Sequence, residues 1–233
     1  MKTNGFVLIS TLIFSIVLIG SCIKDEEDNN QTPVPITTIT DIDGNVYHVI
    51  TIGSQTWMVE NLEVTRFRNG DSIPNITDET QWSNMTSAAW CNYENDQAKG
   101  VLYGRLYNWY AVADSRNICP AGWHIPTQAE WTTLINYLGG ESVAGGKLKE
   151  TGTVHWLSPN TGATNETGFT GLPCGTRNSS GSFSNEKNHG YWWTTNENDS
   201  TSALEWNVNY NHTDIYNYYD TKSTGFSIRC IKD

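Results

Sequence analysis

Apolar positions recur along this chain in three rhythms, and each predicts a different kind of element. Residues 6–19 form a mostly apolar block behind the single basic Lys2. Two β-rich runs follow at 46–52 (VYHVITI) and 56–62 (TWMVENL), divided by Gly53, Ser54 and Gln55, which predicts a hairpin. Over residues 102–113 the spacing changes to three and four, with Leu102, Leu106, Trp109, Tyr110 and Ala113 predicting an amphipathic helix. Thr127 and Glu130 make a capping box, in which hydroxyl and carboxylate satisfy each other's backbone donors. Trp131, Leu134, Ile135 and Leu138 then lay down one apolar stripe that Gly139 and Gly140 end. From residue 170 onward the pattern is strand and turn, with strands expected near 171–177, 190–195, 203–210, 215–219 and 225–231. Helices first and a meander of strands last predict an α+β domain.

The first apolar block is shorter than the roughly 20 residues a membrane-spanning helix needs, and Lys24 with a run of acids follows it closely. It has the layout of a secretory signal peptide. Its end, Ile19, Gly20, Ser21 and Cys22, resembles the bacterial lipobox, so residues 1–21 are expected to be removed and Cys22 to carry lipid. Lys24, Asp25, Glu26, Glu27 and Asp28 resemble the export signal that places lipoproteins of Bacteroidetes-type bacteria on the outer face of the outer membrane. Residues 22–40, with Pro33 and Pro35 and little to bury, read as a tether, and the folded domain is expected over 41–233.

A net charge of −11 without any basic cluster excludes a nucleic-acid partner. Aromatic residues make up 12% of the chain, which supplies large side chains for a core. Besides Cys22 there are four cysteines, Cys91, Cys119, Cys174 and Cys230. An even number in an exported domain predicts two disulfides with three possible pairings, and no C-x-x-C motif points to zinc.

Several segments, WCNYEND (90–96), YGRLYNWYAV (103–112), CPAGWHIPTQAEW (119–131), GGKLKE (145–150), GATNETGF (162–169), YWWTTNE (191–197) and GFSIRCIKD (225–233), resemble the Fibrobacter succinogenes major paralogous domain. That family is similar in turn to the formylglycine-generating sulfatase-modifying enzymes and to the C-type lectin fold. The resemblance implies two helices packed on a mainly antiparallel, loop-rich sheet. It also implies a disulfide between Cys119 and Cys230, leaving Cys91 with Cys174.

Formylglycine-generating enzymes oxidise with a close pair of cysteines near the C-terminus, whereas here Cys230 has no second cysteine nearby. His48, His124, His155, His189 and His212 are scattered singly, and no G-x-S-x-G elbow occurs. No catalytic residue and no cofactor are therefore expected. Calcium is the one alternative, because Asn196, Glu197, Asn198 and Asp199 form an oxygen-rich loop, although the lectin Glu-Pro-Asn and Trp-Asn-Asp tripeptides are missing.

The stretch 205–220 (EWNVNYNHTDIYNYYD) carries the expected function. Leu204, Trp206, Val208 and Tyr210 alternate with Glu205, Asn207 and Asn209, so one face should pack and the other should look outward. Asn207, Asn209, Asn211, His212, Asp214, Tyr216, Tyr218 and Tyr219 form an Asn- and Tyr-rich set suited to recognising an extracellular glycan or protein. C-type-lectin-like receptors of diversity-generating retroelements vary the same late part of their fold. A structural subunit of a surface fibre or layer is the alternative. For the anchor, labelling with a palmitate analogue is expected to tag the wild-type chain and to miss Cys22→Ser, and equal labelling of the two would remove it.

Overall fold

The computed structural model describes Met1 and residues 37–233; the signal segment, Cys22 and the acidic run lie outside the described residues. Three strands open the domain: β1 (Thr38–Thr40), β2 (Val46–Ile52) and β3 (Gln55–Met58). Helix α1 (Glu79–Ser83), strand β4 (Trp90–Cys91), helix α2 (Gln97–Tyr103), strand β5 (Leu106–Tyr107), helix α3 (Trp109–Val112) and strand β6 (Trp123–His124) follow. Two longer helices come next, α4 (Gln128–Tyr137) and α5 (Glu141–Leu148). The rest is strands: β7 (Thr176–Arg177), β8 (Phe183–Ser184), β9 (His189–Glu197), β10 (Ser202–Asn209), β11 (Ile215–Thr221) and β12 (Ile231–Lys232). This is an α+β domain whose paired strands are antiparallel.

The two ends of the domain share one sheet, ordered β1-β2-β3-β12-β6. Ile231 sits between Trp57 of the opening hairpin and His124 of β6. Next to it, Cys230 bonds Cys119 across 111 residues of chain. Closing a loop of that length removes about 4–5 kcal/mol of unfolded-state entropy in the chain-entropy model. The second sheet, β11-β10-β9, stands apart and carries the late hairpin.

Several expectations need correction. The domain begins before residue 41, because Thr38–Thr40 pairs with β2 and draws the end of the expected tether into the sheet. Residues 102–113 are not one helix. Gly104 adopts φ +77°, and a Cβ there would lie 2.7 Å from the Asn61 Cβ, so the chain turns and α2 ends. Leu106–Tyr107 then pairs with Trp90–Cys91, and the Asn108 side chain caps the short α3.

The second long helix is instead α5, which lacks an apolar stripe because it buries glycines. A Cβ on Gly145 would lie 2.1 Å from the Asp214 carbonyl oxygen, a backbone approach that only glycine permits. The expected Cys91–Cys174 disulfide is absent: both cysteines are buried free thiols. Cys174 Sγ instead lies 3.0 Å from Ser227 Oγ, while the Cys91 thiol neighbours the Arg177 guanidinium.

Trp131, projecting from α4, lies at the centre of the core. Trp57, Phe169, Trp192 and Trp206 surround it with ring centroids 5.0–6.3 Å away. Four cations are also buried, Lys222 on Glu197 and three others on backbone carbonyls. Lys149 Nζ donates to the carbonyls of Thr161, Asn209 and His212 at 2.8–2.9 Å. Arg177 donates to the carbonyls of Ile76, Thr77, Asp78 and Gly181 and lies over Trp82. Arg229 donates to the Phe169 carbonyl and to Asn61 Oδ1, and lies over Phe169 and Trp192.

The capping box at Thr127 forms as expected, with Glu130 N donating to Thr127 Oγ1 and Thr127 N to Glu130 Oε2. His124 adds to it, one ring nitrogen 2.8 Å from Glu130 and the other 2.7 Å from Asp233. Burial opposes the His124 charge, but its two carboxylate hydrogen bonds outweigh it and hold the imidazole above its ordinary 6.5. Burial likewise pushes the Glu130 carboxyl up, while the Thr127 backbone N–H and the His124 ring hold it below its ordinary 4.5.

The His124 contribution is therefore complete below the unfolded value and is lost as pH rises through the raised folded one. The Glu130 contribution is complete above its unfolded value and is lost as pH falls through the lowered folded one. Melting curves between about pH 5 and pH 9 are expected to show wild type losing its advantage over His124→Gln on the alkaline side. A constant difference across that range would mean that the ion pairs do not hold the C-terminus.

Candidate functional site

The register of the second sheet decides what its two faces carry. Glu205 lies opposite Trp193 on β9 and Tyr218 on β11, and Asn207 lies opposite Tyr191 and Tyr216. Side chains opposite each other share a face. One face therefore carries His189, Tyr191 and Trp193, then Asn209, Asn207 and Glu205, then Tyr216, Tyr218 and Asp220. The other carries Trp192, Trp206 and Val208, which bury in the core around Trp131.

The expectation that Glu205 and Asn207 look outward is overturned, because both are buried, at 2% and 4% exposure. Their face is covered. The 225–227 segment runs beside β9, Ser227 bridging to Trp192, and its Phe226 stacks on Tyr191 at 4.7 Å and packs on Trp193. Asn207 Nδ2 donates to Glu205 Oε1 at 2.9 Å, leaving Glu205 Oε2 buried without a partner among the described residues.

Toward the β11 edge the same face opens. His212, Tyr216 and Tyr218 run along it in sequence, His212 edge-on to Tyr216 at 6.2 Å and Tyr216 stacked with Tyr218 at 6.4 Å. Tyr216 Oη donates to Asp214 Oδ2 at 2.8 Å, and Tyr218 is 60% exposed. Asn211 is exposed, and Asn209 is half-buried with its Nδ2 2.6 Å from His189 Nε2. Tyr219, 54% exposed, lies opposite Leu204, so the structure separates it from the other expected contact residues.

The turn beneath these side chains is held from below. Lys149 binds the Asn209 and His212 carbonyls, Gly146 N donates to the Thr213 carbonyl at 2.8 Å, and Thr213 Oγ1 donates to the Ser142 carbonyl. Burial pulls the Lys149 ammonium down to about 8, while its three carbonyl partners favour the charged form. Sequence reasoning missed this lysine, since only its place in GGKLKE drew notice.

Between this face and the loop 176–185 lies a cavity of about 170 Å³, lined by Thr176, Asn178, Asn185, Tyr191, Asp220, Thr224 and Phe226 among others. Polar side chains predominate in it. The oxygen-rich loop 196–199 has its oxygens engaged: Asp199 Oδ1 accepts from Thr201 N, Thr201 Oγ1 and Ser202 N, and Asn196 Oδ1 accepts from Gln128 N. Glu197 pairs with Lys222. Among the described residues no three His, Cys, Asp or Glu side chains gather as a metal site would require.

These features define an α+β domain with an internal disulfide, a rigidly seated aromatic hairpin and a small polar cavity beside it. The chain belongs to the Fibrobacter succinogenes major domain family, whose profile matches residues 50–232. No curated protein and no solved structure matches it.

Glu205 gives the site a measurable signature. Burial pushes its carboxyl well above the usual range, Asp220 pushes it further, and the Asn207 hydrogen bond opposes both. With a raised folded value, stability falls as pH climbs above about 4.5, because the unfolded chain releases its proton first. Glu205→Gln is expected to melt with wild type near pH 4 and above it near pH 8, by calorimetry. Equal melting at both would mean that the carboxyl is ionised and solvated.

Proposed function

We propose that this protein is a lipoprotein of the outer membrane, facing the cell exterior, whose domain binds an extracellular glycan or protein without catalysis. Lipid on Cys22 attaches it to the membrane, and the tether presents the domain. The observation that carries the reading is the His212–Tyr216–Tyr218 line on a turn fixed by Lys149 and α5. Exposed tyrosines add little to folding, yet here they are held in one geometry. Such preorganisation lowers the entropy cost of binding.

The finer fold assignment is a C-type-lectin-like scaffold, related to the formylglycine-generating enzymes. It is supported by the adjacency of first and last strands, by the disulfide from the helical half to the segment before β12, and by the separate sheet bearing the late hairpin. A non-catalytic role is supported by the state of the thiols. Cys230 is in the disulfide, and burial pushes Cys91 up to about 11 and Cys174 above its ordinary value. Thiols of that kind are poor nucleophiles.

Glycan arrays and whole-cell binding with the full chain test the reading. Tyr218→Ala is expected to change stability by no more than about 0.5 kcal/mol, as exposed substitutions do. It should weaken the captured ligand by about 2 kcal/mol, roughly thirtyfold, as an interface anchor does. Undiminished binding in a stable Tyr218→Ala Tyr216→Ala variant would move the surface elsewhere.

A further inference from the structure

The interior of the second sheet holds an imbalance that folding leaves uncorrected. Glu205 stands in the central strand with one oxygen on Asn207 and the other unpartnered, while three cations buried elsewhere in the domain are turned toward carbonyls. Leaving a buried acceptor unsatisfied is costly, and more so when it is a carboxyl. The register shows what lies beside it. Tyr191 and Asp220 are its diagonal neighbours on the same face, one on each flanking strand, and both line the 170 Å³ cavity.

Asp220 is itself half-satisfied. Its Oδ1 accepts from Thr221 N at 2.6 Å and Thr224 Oγ1 at 2.7 Å, and its Oδ2 has no partner among the described residues. Tyr191 Oη accepts from Asn185 Nδ2 at 3.0 Å. No lysine or arginine lines the cavity. Arg177, in the loop that walls it, turns its guanidinium away to the carbonyls of Ile76, Thr77 and Asp78, and Lys222 is committed to Glu197.

We propose that this cavity receives one cationic side-chain head, a lysine ammonium or an arginine guanidinium, presented by a protein partner. Asp220 contacts the cation directly, and Glu205 supplies a second negative charge from behind the sheet surface. The size agrees, since pockets for whole small molecules run to roughly 300–1,000 Å³ and this one takes a head group. The proposal rests on the binding reading for the identity of the ligand as a protein, and it selects protein over glycan.

Entry of a cation also gives Glu205 a reason to ionise. Burial, and Asp220 beside it, favour its protonated form in the empty site, so an entering cation should draw protons from it to solvent. The groups facing Glu205 are Trp193 and Tyr191 on β9 and Tyr218 and Asp220 on β11, and Asp220 is the one carboxyl among them.

Isothermal titration of the full chain with Nα-acetyl-arginine amide, Nα-acetyl-lysine amide and the neutral Nα-acetyl-citrulline amide tests the proposal. At least one cationic amide is expected to bind, and citrulline amide at least about tenfold more weakly. Asp220→Asn, which keeps the Oδ1 acceptor for Thr221 and Thr224, should lower the affinity about tenfold with melting unchanged. The binding heat of wild type should vary with the ionisation enthalpy of the buffer, and that of Glu205→Gln should not. Equal affinity for citrulline amide, indifference to Asp220→Asn, or no binding by either cation would each overturn the proposal. Tyr218→Ala is read against the ligand captured on arrays or cells and Asp220→Asn against the amides, so a failure of the hairpin reading and a failure of the cavity are told apart.

Discussion

Buried cations capping backbone carbonyls are the interaction on which the rest of this fold depends. The domain has few long strands, so much of its backbone runs through irregular segments whose carbonyls have no ladder to join. A buried carbonyl must still find a donor. Lys149, Arg177 and Arg229 supply donors from inside, each drawing together segments far apart in sequence. Arg68 does the same nearer the surface, holding the carbonyls of Cys119, Pro120 and Trp123 around the disulfide. Aromatic rings beneath Arg177 and Arg229 complete their environment, since a guanidinium plane stacks well on them.

That arrangement links scaffold to site. The ammonium of Lys149 reaches from the end of α5 to two carbonyls of the β10–β11 turn, and Gly145 lets α5 approach the same turn at backbone distance, while Gly146 admits the Gly162 carbonyl. A bulkier helix face would have pushed the hairpin away. The turn is therefore seated on a helix through backbone contacts, while its side chains stay free for solvent. Core and proposed binding surface are separated along a single strand pair: Trp206, Val208 and Ile215 bury in the core, and Tyr216 and Tyr218 do not.

Those parts of the fold that depend on local chemistry were legible in the sequence. The capping box at Thr127, the stripe through Trp131, Leu134 and Ile135, and the opening hairpin all rest on short-range rules, and all are present. The helix expected over 102–113 failed because its spacing is shared by two short helices and a strand, and the break rests on Gly104 meeting Asn61, a contact no local pattern contains. Alternation around Glu205 was also read correctly as a strand and wrongly as a half-exposed one. Which face a sheet buries depends on what packs on it, and here the Phe226 ring, from the far end of the chain, packs on Tyr191 and Trp193. The α5 helix went unseen because a glycine face gives no hydrophobic signal.

Charge distribution follows from the same constraint. With 14 lysines and arginines against 25 acids, any cation drawn inward to hold carbonyls leaves a surface carboxylate uncompensated. Three are used in this way, Lys149, Arg177 and Arg229. The outer surface is consequently more acidic than composition alone conveys. Such a field raises the encounter rate with basic partners and fades over about 8–10 Å at physiological salt. Inside, the selection runs the other way: Lys149, Arg177 and Arg229 are matched to carbonyls, Lys222 to Glu197, and Glu205, the one fully buried acid of the central strand, is left without a cation. Moving an arginine to it would strip a loop of its donors, so the fold keeps its loops satisfied and leaves the carboxyl for something else to meet.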